Sequence, residues 1–225
     1  GLEKMANSGA DALIDTIRIR AGRQNDTVLI TEAFVLGTLN EAQIAIVRKC
    51  PRLIDLDKSS TTDYQISTDD TSIDISTLAP AHIGGIWILN GADTRQSGLK
   101  YRPLDEFRKK YLPIASEGSD EPTEYTRQGN TIYFNCPVSS GCDDLYLHID
   151  YTDWATTLAN DSTASELSNS DKGLILFSLA EIYDELALAQ PQFESKALKT
   201  RVLFDRWLDE YRDYNEMQLE ELYDG

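Results

Sequence analysis

The stretch EYTRQGNTIYFNCPVSSGCDDLYLHIDYTDW, from Glu124 to Trp154, restricts the fold more than any other part of the chain. Its Gly129-Asn130 pair lies between two runs of alternating side chains. Glycine and asparagine accept the left-handed backbone that a two-residue hairpin turn requires, so the spacing predicts strands near 124–128 and 131–135. A third strand is predicted at 144–152, where Leu145, Leu147, Ile149 and Tyr151 fall on one face and Tyr146, His148 and Asp150 on the other. A sheet with one apolar face needs cover, and the amphipathic segments on both sides of this stretch are long enough to supply it.

On the amino-terminal side, Ala10, Leu13, Ile14 and Ile17 form a helical stripe over 9–21, with Arg18, Arg20 and Arg23 as the basic cluster of that end. Gly22 and Asn25-Asp26 end it. Thr31 is placed to cap a second helix through Lys49, carrying Val35, Leu39, Ala42 and Ile46 on one side, and Pro51 stops it by forcing Cys50 out of helical geometry. From 58 to 98 the pattern becomes short β-rich pieces, Tyr64 to Ser67, Ser72 to Ser76 and Gly85 to Asn90, divided by turns at Asp69-Asp70, Pro80 and Asn90-Gly91. Strands that follow one another without helices between them predict a mainly antiparallel sheet. Pro103 opens a short helix to Lys110, and Ser116 to Glu124 reads as an exposed acidic loop.

On the carboxyl-terminal side, 157–169 reads as a polar linker before a helix at 168–190, whose stripe is Ile175, Leu179, Ile182, Leu186 and Ala189. Pro191 turns the chain into a last helix over about 191–222, with Phe193, Ala197, Thr200, Phe204, Trp207, Tyr211 and Tyr214 on one seam. At 1.5 Å per residue that helix is roughly 45 Å long and outreaches its partner. Phe193, Phe204 and Trp207 are expected to pack on the preceding helix, whereas Tyr211, Tyr214, Met217, Leu219, Leu222 and Tyr223 lie beyond its reach and, with Trp207 at their border, form a candidate partner-binding surface. The class expected is α+β: a small antiparallel sheet with its hairpin packed against a helical group, and a long carboxyl-terminal helix. One domain over 1–225 is expected, with a helical part at 9–50, a β-rich part at 58–156 and a helical pair at 168–224.

The chain carries 21 Lys and Arg against 38 Asp and Glu, a formal charge of -17, so its surface repels phosphate and a sequence-reading grip on nucleic acid is not expected. No apolar run is long enough to span a membrane, and the amino end reads without the continuous apolar core of a signal peptide. Three cysteines, Cys50, Cys136 and Cys142, are an odd number that suits reduced thiols, although the last two bracket one loop. With two histidines, His82 and His148, a histidine-rich metal site is excluded, and no glycine-rich phosphate loop is present. His148 beside Asp150 could be written as a base and its orienter, but no serine or cysteine is placed by motif to complete a triad, so a surface pair is expected. Neither a catalytic site nor a cofactor is predicted.

Several segments in order, STLAPAHIGGIWILN, RPLDEFRKKYLP, EYTRQGNTIYF, LYLHIDYTDWATTL and the closing helical pair, resemble the head-to-tail adaptor proteins of tailed bacteriophages. The similarity runs from about Thr31 to Tyr214 and matches at Pro103 to Phe107, at Tyr125 to Tyr133 with Gly129 in the turn, and at Tyr151. The loop from Asn135 to Asp144 departs from the family's short proline-rich turn. The resemblance implies a structural protein of the phage neck and no catalytic residues. Copies would form a dodecameric ring beneath the portal protein, contact the next tail or stopper protein, and line a channel through which DNA passes unread. The implied location is the virion, and the host cytoplasm during assembly. In that setting the long last helix and Arg18, Arg20 and Arg23 are the candidate portal-gripping elements. A stopper or tail-completion ring protein, a monomeric binding module and a hydrolase built on His148 and Asp150 are the rival expectations.

Overall fold

A computed structural model describes residues 7–26, 28–60, 63–89, 95–114, 117–159 and 162–223. The turn expected at Asn90-Gly91 lies outside them. The chain divides into two compact units, one made of residues up to Leu56 together with those from Trp154 onward, the other of Asp57–Asp153. The helical stretches expected at 9–50 and 168–224 thus share a unit, and the β-rich stretch is inserted between them. The class is α+β.

The helical unit contains α1 (Ala10–Arg20), α2 (Glu32–Lys49), α4 (Asp171–Ala189) and α5 (Glu194–Tyr223). Thr31 caps α2, its hydroxyl oxygen accepting the Phe34 N–H at 3.1 Å, and Cys50 leaves helical geometry before Pro51 as the proline demands. After Gln190, Pro191 starts a 3-10 turn that leads into α5. α4 is the centre of the unit, packed by α1, α2 and α5, so its burial spreads beyond one stripe to Gly173, Leu174, Ser178 and Ala180; Ala189, at its open end, is exposed. Gly173 is where α5 comes closest. A Cβ there would stand 2.0 Å from the Trp207 ring, so only glycine admits the indole.

The segment after Trp154 is more than a linker. Leu158 and Leu167 are buried, and the polar residues of α2 serve its backbone: Asn40 Oδ1 accepts the Leu158 N–H at 2.7 Å, and Gln43 Nε2 donates to the Thr156 carbonyl at 3.1 Å. Ser165 Oγ in turn donates to Gln43 Oε1 at 2.7 Å. A sequence without apolar periodicity folds here because another element supplies the hydrogen bonds that a regular structure would make internally.

The inserted unit is a seven-stranded sheet, larger than the small sheet expected, with β1 (Asp57–Ser60), β2 (Ser72–Asp74), β3 (His82–Leu89), β4 (Arg95–Tyr101), β5 (Glu124–Gln128), β6 (Thr131–Phe134) and β7 (Tyr146–Thr152) in the order β1-β7-β3-β4-β5-β6-β2. The hairpin forms where expected, Gln128 opposite Thr131, with Gly129 at φ +61°. All pairs are antiparallel except β4 with β5, where α3 (Leu104–Tyr111) makes the crossover that parallel neighbours need. The Tyr64–Ser67 piece runs along β7 without becoming a strand of its own, the Ile66 N–H donating to the Leu145 carbonyl and the Leu147 N–H to that of Tyr64. Ile66, Ile75, Ile86, Ile88, Ile132, Phe134, Leu147 and Ile149 form the core of this unit.

One ion-paired clamp holds the crossover together. Arg102, just after β4, sends Nε and Nη2 to the two oxygens of Glu124 at 2.5 and 2.6 Å, and the Tyr111 hydroxyl at the end of α3 donates to Glu124 at 2.7 Å. Lys110 lies 3.6 Å from the same carboxylate.

All three cysteines are free and buried. Burial raises each thiol, that of Cys50 to about 11, so the reactive thiolate is scarce at neutral pH. Labelling by a thiol reagent at pH 7.5 should therefore track unfolding at all three positions. A rapid stoichiometric phase in the native protein would contradict this burial.

Candidate functional site

Among the described residues, an arrangement with a catalytic look sits on the second face of β7. His148 Nε2 lies 2.6 Å from Asp150 Oδ1, and the Ser59 hydroxyl, from the neighbouring edge strand β1, donates to that same oxygen at 2.6 Å. Sequence places the pair on the surface, but Trp87 of β3 packs over its histidine, the ring meeting the imidazole edge-on at 5.4 Å between centroids. The indole fits because its neighbours are glycines: a Cβ on Gly85 would stand 2.3 Å from the ring, and one on Gly98 3.1 Å. His148 is buried beneath it. Three residue types of a triad are present, but in the wrong order. A nucleophile must give its proton to the base, whereas the Ser59 proton points to the carboxylate. The group ties β1 to β7. Among the described residues no set of three or more His, Cys, Asp or Glu side chains is arranged to hold a metal.

The amino-terminal arginines do not act together. Arg18 is buried, its guanidinium donating to the Asp26 carbonyl at 2.8 Å and pairing with Glu32 at 3.2 Å, so it fastens the loop after α1 to the start of α2. Arg23 lies 3.9 Å from Asp26, whose carboxylate is held below its ordinary value by the N–H groups of Leu29 and Val28. Only Arg20 is fully turned outward.

For the last helix the structure corrects the geometric premise. α5 has 30 residues against 19 in α4 and does overshoot it, yet the overshoot is covered by the chain itself. Trp207, Tyr211 and Leu219 are buried. The Tyr211 hydroxyl donates to the Ser168 carbonyl at 3.0 Å, and burial pushes that phenol well above its ordinary pKa. Asn215 Oδ1 accepts the Ile54 N–H at 3.4 Å, so the segment after α2 supplies the missing cover. Trp207 and Tyr211 are thus core residues, Tyr214 is half-buried, Met217 is exposed, and the side chain of Leu222, like that of Tyr223, lies outside the described part.

Two surface features went unread in the sequence. The buried seam of α5 runs Ala197, Thr200, Phe204, Leu208, Tyr211, Asn215, Leu219, and it leaves Leu198, Val202 and Leu203 on the outside at 59, 58 and 48% exposure, with Met217 at 60%. The signal was available: these apolar residues fall off the three-four-four spacing of the seam. The other feature is electrostatic. No Lys or Arg occurs between Lys58 and Arg95, nor between Arg127 and Lys172. Folding brings loops from both intervals, and the one before β5, to the end of the sheet opposite the Gly129 turn. There Thr68 N–H donates to Asp143 at 2.9 Å, the Asp69 N–H to the Val138 carbonyl at 2.8 Å, and the Ser139 N–H to the Asp120 carbonyl at 3.0 Å. Asp69, Glu117, Asp120, Asp143 and Asp144 are all exposed at that end.

A cleft of about 290 Å³ in the helical unit is lined by Ile44, Arg48 and Trp154 over the satisfied amides of Asn40 and Gln43. No helix among the described residues is long and apolar enough to cross a membrane. No protein-family model matches the chain, and a search of curated proteins finds no significant match.

Proposed function

We propose that this chain is a structural ring protein of a tailed-phage neck, an adaptor that docks beneath the portal, contacts neighbouring copies and the next tail component, and borders the channel for DNA exit. The observation that carries the reading is the acidic end of the sheet unit, where loops from two lysine- and arginine-free intervals converge. A polyanion moving past such a surface finds no counterion to release and so no nonspecific grip. The α+β class and the order of segments that resemble adaptors support the same reading, as does a His148–Asp150–Ser59 group whose hydrogen bonds serve the sheet instead of a substrate. DNA is a passing cargo here.

Imaging of the purified chain mixed with the portal protein of its own phage tests this. Rings of the chain stacked coaxially on the portal are expected, with the acidic end toward the lumen; no association with the portal at ~10 μM of each would overturn the reading. A second readout addresses the channel. Particles carrying Glu117→Lys, Asp120→Lys and Asp143→Lys together should assemble normally and release DNA several-fold more slowly, roughly as expected when each added cation can contact a phosphate. Unchanged release would place that end away from the DNA.

A further inference from the structure

The outward face of α5 is divided by charge. Its first half presents Lys199 and Arg206, with one acid, Asp205, and the exposed Leu198, Val202 and Leu203, and its second half presents Asp209, Glu210, Asp213 and Glu216, with one base, Arg212, and the exposed Met217. Lys199, Arg206, Glu210 and Glu216 form no ion pair among the described residues, while Asp209 and Asp213 share only Arg212 of their own helix at 3.3 and 3.6 Å. Such a face is complementary to itself read backwards.

We propose that two copies of this chain pair through α5, antiparallel, about a two-fold axis near Trp207–Leu208. One register brings opposite charges together at both basic positions and joins two of the exposed apolar residues. With Arg206 opposite Asp209 of the second copy, Lys199 falls opposite Glu216 and Leu198 opposite Met217, and the two-fold repeats each pair. Val202 falls opposite Asp213 and Leu203 opposite Arg212, and Asp205 opposite Glu210 is the one like-charged pair of the row, so each copy contributes two opposite-charge pairs against one like-charged pair. Parallel pairing in register would set Lys199 against Lys199 and Asp213 against Asp213, like on like, which is unfavourable. A partner of other chemistry would need both signs of charge in mirrored order along one helix; a second copy has them by construction. A single helix pair buries less than the ~1,200 Å² at which standard interfaces begin, so the pairing is micromolar and reversible.

The pairing concerns the chain by itself, and its failure leaves the ring reading as it stands. Sedimentation velocity of the full chain from ~1 to ~100 μM in ~50 mM NaCl should show a species of twice the monomer mass and nothing larger. Raising NaCl to ~0.5 M should weaken it about tenfold, because the charge pairs are exposed. The Lys199→Glu/Arg206→Glu variant and the Asp209→Lys/Glu216→Lys variant should each dissociate at least about tenfold more readily, all four positions being at the surface. An equimolar mixture of the two should recover the two-copy species, since each supplies the sign that the other lacks. A single-copy mass up to ~100 μM, a ladder of larger species, or charge-reversed variants that pair as tightly as the natural chain would overturn the proposal.

Discussion

Gly173→Ala is expected to destabilise the helical unit by about 3 kcal/mol, the upper part of the range for forcing an added methyl into a packed core. At that cost the melting temperature should fall by roughly 6–12 °C. The methyl carbon would lie 2.0 Å from one ring atom of Trp207 and 2.2 Å from another, well inside van der Waals contact, so either the indole or the helix axis must move. Neither has room. Trp207 is stacked on Tyr211 at 4.7 Å between centroids and on Phe204 at 6.1 Å, so displacing it disturbs the whole seam of α5. Alanine is otherwise the better helix former, by ~1 kcal/mol, and on propensity alone the substitution would stabilise. The sign of the change therefore separates tertiary packing from local preference. Trp207→Leu in the Gly173→Ala background should recover part of the loss, and thermal melts of the two single variants and the double variant measure the coupling. A stabilised or unchanged single variant would show that the indole does not rest on that glycine.

Glu124→Gln should cost about 2 kcal/mol at pH 7, the range for hydrogen bonds to a charged group, because the amide keeps the shape but loses the charge that Arg102 and Lys110 face. Arg102, the first cause, holds the carboxyl down to about 2 from its ordinary 4.5, with the Tyr111 hydroxyl and Lys110 helping. The folded state thus binds this proton more weakly than the unfolded chain does. Its stabilisation is complete above about pH 4.5 and is lost as pH falls toward about 2. Urea melts at pH 7 and pH 3 should show the gap between Glu124→Gln and the natural protein narrowing at the lower pH. A gap that stays constant would mean that the carboxylate is not the charged partner of Arg102 in solution. Arg102→Lys should resemble the glutamine variant, since an ammonium cannot reproduce the two-pronged contact.

Much of the candidate surface was not legible beforehand. The arginines of the amino end looked like a basic patch, yet Arg18 is spent on the Asp26 carbonyl and Glu32 of its own unit. His148 and Asp150 looked like an exposed pair, and Trp87 closes over the histidine only because Gly85 and Gly98, on two different strands, leave space for its ring. β1 and β4 were missed because DKSS and RQSGLKY have no apolar alternation; each is a strand because β7, or β3 and β5, pairs with it.

What the sequence determined by itself was local and stereochemical. The hairpin turns at Gly129, α2 begins at Thr31 and ends before Pro51, and the chain corners at Pro191, because left-handed φ, a missing N–H and a capping hydroxyl act within one turn of backbone. Only the tertiary structure decided what covers what. Tyr211 and the residues after it read as an uncovered arm, yet Tyr211 is bonded to Ser168 and Asn215 to Ile54, segments far away along the chain. The parallel pairing of β4 with β5 rests likewise on Arg102 reaching Glu124 across α3. Periodicity tells which side of a helix is apolar, but burial depends on distant partners that periodicity does not name. In α5 the aromatic seam is therefore core, and Leu198, Val202 and Leu203 stay on the outside because no distant segment among the described residues covers them.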